Sequence, residues 1–211
     1  MKLFFINGSP KVNNSASEKI LESLKELLPD DYIISDYNFR KQQVDIKVIE
    51  QISESNAIVL AFPLYVDGIP SQLLKGLYQI EKYFKSNPNP NIKVYALINC
   101  GFYEGSQASI ALEMLENWCE KTGISWGQGI GIGGGGMLSS VKGPLEGPGP
   151  NKDLGIALNG LAKNVSTSSS DVNIFTSPNF PRFVYKMGGD FGWNQQIKSN
   201  GLTKKDLFIR K

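Results

Sequence analysis

The sequence predicts an α/β domain built on a doubly wound, mostly parallel sheet. Short apolar runs alternate with amphipathic helical segments through the first two thirds of the chain, and the connections between them are short. Several of these runs are apolar at every position, as strands covered on both faces must be. The later strands end in loops that carry polar and aromatic residues.

The elements follow in order. Leu3 to Ile6 is a short apolar run closed by Asn7-Gly8-Ser9-Pro10, a strand entering a loop. Ile20, Leu21, Leu24, Leu27 and Leu28 then recur at helical spacing until Pro29 and Asp30 stop them. Tyr32 to Ser35 reads as a weak second strand, and Val48, Ile49 and Ile52 as a short second helix. Ala57 to Phe62 is a third, fully apolar strand running into Pro63-Leu64-Tyr65-Val66-Asp67-Gly68. The following helix carries Leu73, Leu74, Leu77, Ile80, Tyr83 and Phe84 along one side. Val94 to Ile98 is the fourth strand, closed by Asn99-Cys100-Gly101-Phe102-Tyr103, and its helix turns Ala108, Ala111, Leu112, Leu115, Trp118 and Cys119 inward. Ile124 to Ile132 is a fifth strand loosened by glycines, and Leu154 to Val165 a fifth helix. Gly133 to Pro150, rich in Gly and Pro, reads as an insertion or mobile loop. Residues 166–211 read as an irregular tail packed on the domain or on a partner subunit, which leaves residues 1–165 as the globular domain.

Composition narrows the chemistry. The 211 residues are 41% hydrophobic and 20% charged, enough for one domain with a substantial core. With 22 Lys and Arg against 20 Asp and Glu, the net charge of +2 supplies no general attraction to nucleic acid or anionic membrane. There is no histidine, which removes Ser-His-Asp and Cys-His catalysis and His-ligated zinc together. The two cysteines, Cys100 and Cys119, form no CxxC pair and cannot by themselves hold a cluster. No stretch approaches the length of a membrane span, and the first apolar run is too short for a signal peptide. A cytoplasmic protein with reduced thiols, whose chemistry is done by something it binds, is the expectation.

In a doubly wound sheet, ligands bind beyond the carboxyl ends of the strands at the switch in strand order. The loops after Ile6, Phe62 and Ile98 therefore converge. In the first, Ser9, Lys11, Ser15, Ala16 and Ser17 lead into a helix start, where hydroxyls, free N–H groups and the positive end of the helix dipole suit a phosphate. Ser15-Ala16-Ser17-Glu18 is also a capping box, and the two roles are compatible. There is no Walker Gly-Lys-Thr. Pro63-Leu64-Tyr65-Val66 and Asn99-Cys100-Gly101-Phe102-Tyr103 offer apolar and aromatic faces with exposed backbone groups, as a planar heteroaromatic ring requires.

Gly8-Ser9-Pro10-Lys11, Pro63-Leu64-Tyr65-Val66-Asp67-Gly68-Ile69-Pro70 with Leu74-Lys75, and Asn99-Cys100-Gly101-Phe102-Tyr103 together resemble the flavodoxin-like NAD(P)H-dependent FMN reductase family over roughly residues 1–165. The resemblance implies a five-stranded parallel sheet in the order 2-1-3-4-5. It implies FMN with its phosphate among Ser9, Lys11, Ser15, Ala16 and Ser17. The isoalloxazine ring would then lie between Pro63, Leu64, Tyr65 and Val66 on one side and Asn99, Cys100, Gly101, Phe102 and Tyr103 on the other. It further implies hydride from NADPH or NADH, electrons passed to flavin, a quinone or another small acceptor, and a homodimer. No side chain is then needed as an acid or base, Asp67 and Glu104 included, because the flavin carries the chemistry. An FMN electron carrier without nucleotide turnover is the alternative, and the +2 charge argues against it, since such carriers are usually acidic. A non-enzymatic protein that has lost the flavin is a third reading.

Gly129-Ile130-Gly131-Ile132-Gly133-Gly134 matches G-x-G-x-x-G literally but is followed by a Gly/Pro loop instead of a helix start. It reads better as a strand end that a ligand or another backbone approaches closely. Cys100 reads as a small residue beneath a ring, or as a reactive thiol, and Cys119 as core.

Overall fold

The computed structural model of the protein describes residues 1–138, 145 and 148–209. Six parallel strands form one sheet in the order β2-β1-β3-β4-β5-β6. They are β1 (Lys2–Asn7), β2 (Ile33–Asn38), β3 (Ala57–Pro63), β4 (Lys93–Asn99), β5 (Ser125–Ile132) and β6 (Ile174–Thr176). The helices are α1 (Ala16–Lys25), α2 (Ile46–Ser53), α3 (Ser71–Ser86), α4 (Ser109–Thr122), the single turn α5 (Gly135–Leu138), α6 (Lys152–Thr167) and α7 (Arg182–Ser199).

Strand alternation builds the two faces. Phe4 and Ile6 of β1, Ile58, Leu60 and Phe62 of β3, and Val94, Ala96 and Ile98 of β4 point to one side. There they pack under Ile49 and Ile52 of α2, Leu73, Leu77, Ile80 and Phe84 of α3, and Leu112 and Leu115 of α4. Leu3, Phe5, Ala57, Val59, Ala61, Tyr95 and Leu97 point to the other, under Ile20 and Leu24 of α1 and Leu158 and Leu161 of α6. The fold is thus the doubly wound, flavodoxin-like one, with both faces of the sheet covered.

Two expectations need correction. The sheet has six strands, not five: β6 extends the edge by pairing Ile174–Thr176 with Ile130–Ile132. Three residues are too few for an alternating pattern, so only the neighbouring edge reveals them as a strand. The tail is also not irregular. It contains α7 and a 3₁₀ segment, Lys204–Phe208, but Gly188, Gly189 and Gly192 break up the apolar periodicity that would announce a helix. Contacts divide the chain into two compact units, Met1–Pro178 and Asn179–Lys211. In the second, almost all of α7 is exposed, and Ile197 is its buried residue. Part of the 133–150 segment, residues 139–144 and 146–147, lies outside the described residues.

Tyr95 links the layers. Its ring is fully buried, and its hydroxyl lies 2.8 Å from the carbonyls of both Asn164 and Ser169, at the end of α6. Gly127 makes room for the ring, since a Cβ there would come within 2.5 Å of it, and the β4–β5 register shifts between Val94 and Tyr95. Burial pushes the Tyr95 phenol and the Cys119 and Cys100 thiols above their ordinary values of 10.0 and 9.0. The unfolded chain releases these protons first, so this stabilisation is complete below about pH 9 and is lost as pH climbs toward the raised folded values. Urea unfolding should show a midpoint that is flat near neutrality and falls above pH 9. Tyr95→Phe should reduce that alkaline fall and cost about 1–2 kcal/mol at pH 7.

Candidate cofactor site at the carboxyl rim

The site begins with two buried carboxamides at strand ends. At the end of β1, Asn7 accepts the N–H of Ser9 on its Oδ1 at 3.0 Å, and its Nδ2 lies 3.5 Å from the Ser15 hydroxyl. At the end of β4, Asn99 accepts the Ser17 hydroxyl on its Oδ1 at 2.8 Å, and its carbonyl accepts Leu64 N–H at 2.8 Å. The first pair shapes the β1–α1 loop. The second ties α1 to the β3 and β4 ends across the sheet. Ser15 closes a capping box, with its Oγ accepting from Glu18 N–H at 3.0 Å and Glu18 Oε2 accepting from Ser15 N–H at 3.3 Å.

A concavity of about 250 Å³ opens among these loops. Ser9, Lys11, Ser15, Ala16 and Ser17 line one part of it, Pro63, Leu64 and Tyr65 another, and Asn99 and Gly101 a third. The structure thereby brings together ten of the fourteen residues that the sequence singled out. Val66, Cys100, Phe102 and Tyr103 do not line it. Val66 and Asp67 form the tip of a two-residue hairpin in which Tyr65 and Gly68 exchange both backbone hydrogen bonds. Both tip residues have positive φ, +47° and +60°, an uncommon backbone for a β-branched side chain, and Val66 is fully exposed. Phe102 is exposed beside the mouth, and Tyr103 donates its hydroxyl to Pro178 O at 3.1 Å. Cys100 is buried, with Sγ 3.5 Å from Glu104 O. Its raised pKa keeps it a thiol at neutral pH, which argues against the reactive reading.

Sequence reasoning missed Asn7, Gly135 and Gly136. The last two belong to the glycine run after β5, and here the glycine reading is resolved. Gly135 N–H donates to Cys100 O at 2.7 Å and Gly134 N–H to Phe102 O at 2.6 Å. A Cβ on Gly133 would lie 2.0 Å from Tyr103 O, and one on Gly131 2.4 Å from Gly105 O. The glycines thus let the β5 end press backbone to backbone against the 100–105 loop, and a dinucleotide fingerprint is not involved. Asn7 carried a visible signal, an amide directly before Gly8-Ser9, but nothing local says that it faces inward.

The donors in this concavity suit a phosphate. The Ser9 and Ser15 hydroxyls accept protein hydrogen bonds and keep their own hydrogens to donate. Ala16 and Ser17 sit in the first turn of α1, where N–H groups lack an intrahelical partner. Lys11 Nζ donates to Asn14 O at 3.0 Å and has two hydrogens left. Ser17 has committed its hydroxyl hydrogen to Asn99, so its contribution is its N–H. Among the described residues, Lys11 is the charged residue in the lining and no carboxylate lines the concavity. Gly101 and Gly136 present bare backbone with no atom of the described residues within 4 Å of where a Cβ would stand, so a flat group can approach them.

No family model and no curated protein matches the sequence. Solved structures do match in fold. A rubredoxin:oxygen oxidoreductase from Desulfovibrio gigas aligns at 16% identity and TM-score 0.56 over 79% of this chain, which spans only 35% of that longer one. An NAD(P)H:quinone oxidoreductase from Methanothermobacter marburgensis aligns at 15% identity and TM-score 0.59, over 78% of this chain and 96% of that one. An NADH:FMN oxidoreductase in its apo form aligns at 15% identity and TM-score 0.58, over 81% and 90%.

Gly133→Ala tests the backbone contact. It should destabilise the protein by about 2–3 kcal/mol in urea unfolding, because the added methyl meets main chain that has no rotamer with which to yield. Together, the strand order, the covered faces and these alignments establish a flavodoxin-like fold whose polar concavity lies at the switch in strand order between β1 and β3.

Proposed function

We propose that the protein is an FMN-dependent oxidoreductase that takes hydride from NAD(P)H and passes electrons to flavin, a quinone or another small acceptor. The observation that carries this reading is the single concavity that joins phosphate donors of the β1–α1 loop to the flat, backbone-rich walls at the β3, β4 and β5 ends. The fold neighbours described as NAD(P)H:quinone and NADH:FMN oxidoreductases support it at the level of fold.

In this reading Ser9, Lys11, Ser15, Ala16 and Ser17 hold the FMN phosphate, and Asn7 and Asn99 keep that loop in shape. Pro63, Leu64 and Tyr65 flank the ring on one side, with Asn99, Gly101, Gly135 and Gly136 on the other. Val66, Phe102 and Tyr103 belong to the outer mouth, and Cys100 packs behind it. Bound FMN supplies the hydride acceptor and the two-electron chemistry. The chain contributes position, a local positive charge for the phosphate, and exclusion of water by the buried strand ends. Tyr65 and Phe102, about half exposed beside the opening, are placed to guide a nicotinamide or a planar acceptor. Residues 1–165 carry this site, β6 completes the sheet beside it, and Asn179–Lys211 is a second compact unit. A cytoplasmic homodimer completes the proposal. Among the described residues, no helix is long and apolar enough to cross a membrane and no group of three His, Cys, Asp or Glu could hold a metal ion.

The test is a visible spectrum of the purified protein with added FMN, followed by anaerobic addition of NADPH or NADH. Bound flavin that bleaches on addition supports the reading. Flavin that binds and stays oxidised would instead indicate an electron carrier, and no binding would remove the flavin altogether. Gly136→Val should lower FMN affinity at least about tenfold while leaving urea stability within roughly 0.5 kcal/mol, because the added side chain meets ligand and no atom of the described residues.

A further inference from the structure

The β2–α2 connection carries a basic pair, Arg40-Lys41, and the structure brings it to the outer edge of the same rim. Phe39, fully buried, anchors the segment: its N–H donates to Asn7 O at 2.9 Å, and its ring fills the space that a Cβ on Gly76 would need. Beyond it, α3 holds the loop through a polar lattice. Lys75 Nζ donates to Gln42 Oε1 at 2.9 Å, Gln79 Nε2 donates to Gln42 O at 2.7 Å, and Gln79 Oε1 accepts Val44 N–H at 3.1 Å. Arg40 itself is aimed, since its Nη2 donates to Val12 O in the β1–α1 loop. Two cations therefore grip that loop, Lys11 at Asn14 O and Arg40 at Val12 O, at the two ends of the three-residue stretch Val12-Asn13-Asn14.

Charge and bonding make this edge unusual. Residues 1–170 carry a net charge of −2, and Arg40 is their sole arginine. Among the described residues, the ion pairs are Lys2 with Glu54, Lys25 with Asp36 and Lys85 with Glu81, so neither Arg40 nor Lys41 meets a carboxylate. One guanidinium nitrogen is used on Val12, which leaves N–H donors for an anion. The inner phosphate site already has Ser9, Ser15, the α1 N–H groups and Lys11, so it does not need a second cation clamp.

We propose that Arg40, with Lys41 beside it, forms a second anion subsite that takes the 2′-phosphate of NADPH and makes this nucleotide preferred over NADH. The proposal rests on the reading of the rim as an FMN and nicotinamide-nucleotide site. A phosphomonoester is matched by the planar fork of an arginine. NADPH carries such a group and NADH does not, whereas the diphosphate is common to both.

Two measurements test it. The first is calorimetric binding of adenosine 2′,5′-bisphosphate and of adenosine 5′-phosphate to the full-length protein, wild type and Arg40→Gln. The bisphosphate should bind at least about tenfold tighter to wild type, and the difference should vanish in Arg40→Gln. The second is steady-state kinetics of the FMN-loaded protein, where Arg40→Gln should raise KM for NADPH roughly 10- to 100-fold more than KM for NADH, with Arg40→Lys between. Equal binding of the two adenosine nucleotides to wild type overturns the proposal. So does an Arg40→Gln variant that weakens FMN and both nucleotides alike, which would make Arg40 a staple of the loop or a diphosphate ligand. Bisphosphate binding that depends on Arg40 in a protein that takes up no flavin would uphold the anion subsite while ending the flavin reading.

Discussion

Everything in this molecule depends on a parallel sheet that has to be covered on both faces. β1, β3 and β4 are apolar at nearly every position, so neither face can meet water. Parallel strands cannot be joined by hairpins, so each connection must carry a helix across a face, and the right-handed crossover sends α1 and α6 to one side and α2, α3 and α4 to the other. Away from the outer edges of β2 and β6, backbone groups unpaired in the ladder lie at the ends of the strands. The carboxyl end is where polar chemistry can be built without burying an unsatisfied group.

At that end the buried groups that organise the loops are neutral amides. Asn7 and Asn99 are nearly buried, and each holds a serine or a serine N–H from the β1–α1 segment. A carboxamide can accept and donate at once and carries no desolvation penalty for a full charge. The buried strand ends therefore hold the loop without a buried charge, the Glu18 carboxylate serves the capping box at Ser15, and among the described residues Lys11 and Arg40 meet no carboxylate. Lys11 and Arg40 are each held through a loop carbonyl, Asn14 O and Val12 O.

The glycines after β5 show the same economy. A glycine-rich run looks like a nucleotide fingerprint in one dimension, but Gly131, Gly133 and Gly135 are needed because carbonyls of the 100–105 loop lie where a Cβ would stand. This close approach positions the backbone of Gly135 and Gly136 in the wall of the concavity. Packing and site are one feature here: the contact that locks β4 to β5 also shapes the ligand surface.

The sequence alone was enough for the alternation of strands and helices, the two-sided burial, the capping box at Ser15 and the three loops that meet at the rim. These are legible because period, apolar run length and cap chemistry are local properties of the chain. The three-residue β6 and the glycine-broken α7 were not legible, because one exists by pairing with Ile130–Ile132 and the other lacks a clean helical stripe. Nor could the sequence say that Cys100 turns inward, that Asn7 holds Ser9, that Gly135 and Gly136 line the concavity, or that Arg40 reaches Val12 across 28 residues. Each of these is a contact between segments distant in the chain, or a choice of which way a loop side chain turns. Only the assembled tertiary structure makes such choices, because it decides which donors and acceptors remain to be satisfied at a shared edge.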